Sequence, residues 1–125
     1  MCQKHFGSFF SALVAVKGDI EWTREQPRYF RSSANIERGF CALCGTPMAF
    51  RSPDGIEIAV GTFDDPSDLK PQVQVFYGER LPWVETVFDI PVRDGSKDAA
   101  AQDGIVSLQH PDHDTEKESV TRNRN

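Results

Sequence analysis

The chain is poor in the features that mark several large protein classes. It has three cysteines in 125 residues, an odd count with no apolar leader in front of them. That argues against a disulfide framework and for a reducing, cytoplasmic setting in which the thiols are free or bind metal. No apolar run approaches the roughly 20 residues that span a bilayer, so membrane association is not expected. No cluster of Lys and Arg is present, and the formal net charge is -5, so a phosphate backbone would find little to neutralise it. There is also no internal repeat and no long stretch of helical periodicity.

What is present suits one globular unit. Hydrophobic residues make up 38% and aromatics 10%, enough for a core at this length. Phe10 to Val16 reads as a strand buried on both faces, and Ile20–Thr23 as its return after a turn at Gly18-Asp19. Tyr29–Ser32, Ile36–Phe40 and Met48–Arg51 read as further strands. Ser52-Pro53-Asp54-Gly55 is a strong turn before an alternating strand at Ile56, Ile58 and Val60. Asp65 as N-cap and Pro66 at the first helical position predict one helical turn, and Val73–Phe76 predicts another short strand. Short strands with turns about every ten residues predict a mainly β fold.

From Arg93 the composition changes: Phe, Trp, Tyr and Cys vanish and polar residues take over. The expected division is a structured unit over residues 1–92 and a disordered polar tail over 93–125, too poor in apolar surface to offset the entropy of ordering. His110 and His113 in that tail read as part of a solvated acidic segment rather than a metal site. Trp22, Trp83 and the Phe residues are expected mainly in the core.

Cys41-Ala42-Leu43-Cys44, followed by Gly45-Thr46-Pro47, is the most informative stretch. Two thiols two residues apart at a tight turn form half of a tetrahedral zinc site. Flanking β patterns oppose the helix N-terminus that a redox C-x-x-C requires. Cys2 is the only other thiol, and His5 follows it at a spacing two ligands can use, although a partly buried or surface histidine is the commoner outcome. Arg38 and Lys4 read as solvated charges that would suit an anionic substrate.

Four stretches together resemble the family of glutathione-dependent formaldehyde-activating enzymes and centromere protein V. They are Cys2-Gln3-Lys4-His5-Phe6-Gly7-Ser8, Arg38 to Pro47, Gly61-Thr62-Phe63-Asp64-Asp65-Pro66, and Leu81-Pro82-Trp83. The resemblance implies an Mss4-like β-rich fold with a zinc-knuckle hairpin and two zinc ions. A structural zinc would take Cys41 and Cys44 with an earlier C-x-C pair, and a catalytic zinc would take Cys2 as the last cysteine of a C-x-C-x-x-C motif. The earlier ligands have no counterpart in this chain, so Met1 is expected to match an internal position of the family pattern, as in an N-terminally truncated member. The implied chemistry is a carbon–sulfur lyase reaction joining glutathione, or another small thiol, to formaldehyde or a related aldehyde. A non-catalytic zinc-binding or interaction module, or an inactive truncated member, stands beside it.

Overall fold

The computed structural model describes residues 1–109, with the side chains of residues 99 and 100 left aside. One five-stranded antiparallel sheet dominates it. The strands are β1 (Leu13–Ala15), β2 (Arg28–Arg31), β3 (Glu37–Phe40), β4 (Pro47–Ser52) and β5 (Gly55–Ala59), in the spatial order β1-β5-β4-β3-β2. Helix α1 (Cys2–Phe6) precedes the sheet and α2 (Gly95–Gln102) follows three short 3₁₀ segments. The expected mainly β fold is what the chain adopts. No helix among the described residues is long and apolar enough to cross a membrane.

Strands β2 to β5 form a meander because each junction has its turn chemistry. Ser32 N–H donates to the Ile36 carbonyl at 2.9 Å and closes β2 onto β3. Between β4 and β5, Pro53-Asp54 make a two-residue turn; Gly55 has φ +136°, a conformation that favours a residue without Cβ. The Asp54 N–H donates to Ser52 Oγ at 3.2 Å and steadies that corner. Across β3 and β4, Glu37 faces Arg51, with the ion pair at 3.1 Å, and Arg51 also lies 4.0 Å over the Tyr29 ring.

β1 departs from the expected hairpin. It pairs with β5, Leu13 opposite Ala59 and Ala15 opposite Glu57, and flanking bonds from Val60 to Ala12 and Val16 to Ile56 extend the ladder. Residues 20–23 form no strand: β1 takes the last strand of the meander as its partner and stands at the end of the sheet. Residues 73–76 are likewise not a strand. Phe76 sits at φ 54°, which turns the chain into the 3₁₀ segment Tyr77–Glu79 and ends any extended run. At Asp65 the expected helical turn is reduced to a single hydrogen-bonded turn, with Ser67 N–H donating to Asp65 Oδ1 at 2.9 Å and Leu69 N–H to the Pro66 carbonyl. Within the predicted tail, Gly95–Gln102 forms α2, capped by Asp94, whose carboxylate accepts from Ser96 N–H at 3.0 Å.

The core is small-residue rather than aromatic. Ala49 and Ala59 are its buried apolar side chains, joined by Pro27, Gly39 and Arg38. Phe30, Phe76 and Phe88 are largely exposed, and Trp83 is half-exposed with its edge against Phe9 at 5.7 Å, which corrects the expectation of an aromatic core. The tightest point is Gly39. A Cβ there would lie 3.0 Å from Tyr29 Cε1 and 3.1 Å from the Cβ atoms of Ala49 and Pro27. Gly39→Ala is expected to destabilise the fold by about 1–3 kcal/mol through overpacking, read as a lower urea midpoint at unchanged slope. An unchanged midpoint would show that the strands separate freely at this point.

Candidate functional site

Two thiol-bearing places lie on or against β3. The first is the β3–β4 connection. Cys41 N–H donates to the Thr46 carbonyl at 2.9 Å and Gly45 N–H to the Cys41 carbonyl at 2.8 Å. Gly45 takes φ +78°, so the chain folds back over one short loop. These bonds turn both sulfurs toward one another. Cys44 Sγ lies 3.0 Å from Thr46 Oγ1. Burial pushes the Cys44 thiol up, but hydrogen bonds involving Thr46 and Cys41 outweigh it and hold the thiol below its ordinary value. Cys44 is exposed and Cys41 half-buried. The arrangement is the two-thiol knuckle that the spacing predicts, on a hairpin and away from any helix N-terminus.

The second place is where α1 meets the sheet. Cys2 and His5 are three residues apart, so they share a face of the helix, which ends at Gly7 with φ 62°. Arg38 rises from β3 beneath them. Its Nη2 donates to Cys2 Sγ at 3.3 Å, its Nε to Ser32 Oγ at 3.2 Å, and its guanidinium lies 5.1 Å from the Phe50 ring centre. The side chain is only 4% exposed, and Nη1 is buried with no partner. This corrects the expectation of a solvated charge: Ile36, Arg38 and Phe40 alternate in phase, and the arginine occupies a position where the pattern calls for an apolar residue. That phase is the signal in the sequence that could mark it.

Desolvation and the Arg38 charge lower the His5 pKa, and a backbone hydrogen bond with Gly39 only partly opposes them. The ring is therefore neutral at pH 7, and its Nε2 is buried without a partner. An unpartnered imidazole nitrogen on the same helix face as a thiol, with a hydrogen-bond donor on the sulfur, offers a metal ion two candidate donors. The donor set is short, however. Among the described residues no three His, Cys, Asp or Glu side chains converge on one point. Cys2 is thus brought to Arg38, with His5 on the same helix face, and Cys41 is brought to Cys44. A shallow cleft lined by Arg31, Asn35, Glu37 and Arg51 lies at the far end of the β3–β4 hairpin from the knuckle and contains no thiol.

With this geometry in hand, comparison with protein families is specific. The model of the glutathione-dependent formaldehyde-activating enzyme matches residues 1–79, well over half of the chain, and contains α1, all five strands and both thiol places. The chain belongs to that family. No curated protein and no solved structure matches it.

The depressed His5 pKa sets a pH dependence for the metal-free chain. The unfolded chain takes a proton near the ordinary value of about 6.5, while the folded chain takes it lower. Between those two values the unfolded state binds more protons, so stability is full above about pH 6.5 and falls as pH drops below it. His5→Asn should flatten the thermal melting temperature between pH 7 and 5. An unaltered acid slope in that variant would place its origin elsewhere.

Proposed function

We propose that this chain is a zinc-dependent carbon–sulfur lyase that joins the thiol of glutathione, or a related small thiol, to formaldehyde or a related small aldehyde. The family match over residues 1–79 carries this reading. In the reaction a carbon–sulfur bond forms as the carbonyl π bond breaks, and the thiol proton ends on the former carbonyl oxygen. The product is an S-hydroxymethyl thioether; the reverse reaction is the lyase direction. Unpaired thiols suit the reducing cytoplasm, where we place it.

Cys2 Sγ and His5 Nε2 are the atoms that would hold the catalytic zinc. Arg38 would serve as the hydrogen-bond donor to the ligating sulfur. When bound, zinc favours the thiolate form of a sulfur at neutral pH and withdraws charge from a carbonyl oxygen. Arg38 contributes a fixed positive charge in a poorly solvated place, where it opposes a negative charge more strongly than in water. Ser32 Oγ and the Phe50 face hold the guanidinium in line, so it need not reorganise as charge moves. Lys4 is exposed on α1 and, two residues from Cys2, lies off the helix face that carries Cys2 and His5.

A second reading is favoured by the donor set itself. Each thiol place supplies two donors, so a non-catalytic zinc-binding or interaction module uses the same scaffold without an open catalytic metal. Aldehyde-dependent loss of free glutathione thiol separates the two. The lyase reading expects zinc-dependent turnover, abolished by chelator, restored by zinc, and reduced about 10–100-fold in Arg38→Met. Thiol loss at the uncatalysed rate in zinc-loaded, folded protein would favour the module.

A further inference from the structure

We propose that Arg38 binds a small carboxylate, and that the carbonyl substrate of this site is an aldehyde acid with its carboxylate on the carbon next to the carbonyl. The inference deepens the lyase reading and rests on it for the reaction, though not for the binding. A guanidinium carries five N–H donors in a planar fork and no acceptor. Two of them are used here, Nε on Ser32 Oγ at 3.2 Å and one hydrogen of Nη2 on Cys2 Sγ at 3.3 Å. Both hydrogens of Nη1 are left, in a side chain that is almost wholly buried and that no carboxylate among the described residues pairs with. The Arg38 charge reaches His5, but that ring is neutral and offers no negative charge in return. The other two imidazoles, His110 and His113, lie outside the described residues. A buried cation with unused donors is costly, and an anion brought by a ligand removes that cost.

Position selects the ligand. The Phe50 ring lies against the guanidinium, 5.1 Å from its centre, which favours an acceptor in the guanidinium plane, as a carboxylate oxygen is. The same guanidinium touches Cys2 Sγ, where the proposed chemistry is centred, so carboxylate and carbonyl must be close neighbours in one molecule. An aldehyde acid joins the two by a single bond, whereas the carboxylates of glutathione stand several bonds from its sulfur. Helix α1 covers the arginine, but it is five residues long and none of its side chains is fully buried, so it yields to a ligand at little cost. The chain as a whole has a net charge of -5 and does not gather anions, so binding of a carboxylate reports this local charge. The reaction stays a thiol addition: the carbon–sulfur bond forms, the carbonyl π bond breaks, the thiol proton ends on the former carbonyl oxygen, and the carboxylate is unchanged.

The test begins with calorimetric titration of the full-length protein, after chelation, with oxamate and with its uncharged ethyl ester. Loss of glutathione thiol is then followed in the zinc-loaded protein with glyoxylate and with formaldehyde. Oxamate is expected to bind and the ester not, and glyoxylate is expected to have the higher kcat/KM. Arg38→Lys keeps the charge but loses the planar fork. It should weaken oxamate about 10–100-fold and lower the glyoxylate-to-formaldehyde ratio of kcat/KM by a similar factor. The comparison of oxamate with its ester needs only the wild type and decides the matter if that variant misfolds. Equal binding of the two, an unchanged ratio in folded Arg38→Lys, or a preference for formaldehyde would each overturn the proposal. Binding of S-methylglutathione without binding of oxamate would assign the carboxylate to the thiol and overturn it as well. Oxamate binding with no turnover of either aldehyde would leave the carboxylate site standing and defeat the lyase reading, whereas formaldehyde turnover without oxamate binding would do the reverse.

Discussion

A buried arginine that no carboxylate among the described residues pairs with organises this chain. Arg38 sits 4% exposed on the second residue of β3, and its hydrogen bonds go to a thiol and a hydroxyl. Moving a guanidinium out of water is costly unless its donors are used, so the groups around it are not interchangeable. Ser32 fixes the loop between β2 and β3, Phe50 fixes the facing position on β4, and Cys2 fixes α1 to the sheet. Its charge also helps keep His5 neutral, which links the packing of the N-terminal helix to the chemistry of the imidazole.

β3 is thereby the common support of both thiol places. At its centre Arg38 reaches Cys2, and at its end Phe40 delivers the chain to Cys41. The register shift between Gly39 and Phe40 lies between them, where two residues of β4 stand against one of β3 and the hairpin bends toward the knuckle. Gly39, pressed by Tyr29, Ala49 and Pro27, keeps the strands close enough for this geometry to hold. Burial in the sheet rests on alanine, glycine and proline, so its stability depends on backbone pairing and on this polar cluster more than on large apolar side chains.

Much of the fold is legible in the residues. The Pro53-Asp54-Gly55 turn, the alternation from Ile56 and the C-x-x-C between two strands announce the β3–β4–β5 meander, because local turn chemistry and period agree there. What escapes the sequence is non-local. Ile20–Thr23 has strand composition, yet β1 takes its partner from β5, some forty residues on, and nothing near Trp22 signals that choice. Val73–Phe76 alternates well but pairs with no strand among the described residues, and Phe76 in the left-handed region ends it. At the site, Cys2, Cys41 and Cys44 can be found from spacing and resemblance. Arg38 is misplaced when judged by residue type instead of by phase, and its contact with Cys2, across 36 positions, depends on tertiary packing.

A double-mutant cycle on Arg38 and Cys2 tests most directly whether the buried guanidinium holds the N-terminal helix to the sheet. Unfolding free energies of Arg38→Met, Cys2→Ala and the double variant, measured without metal, isolate the coupling between the two side chains. A charged hydrogen bond in this setting predicts a coupling of about 1.5–3 kcal/mol. Additivity within about 0.5 kcal/mol would mean that Cys2 does not depend on Arg38, and would contradict a site organised around that arginine.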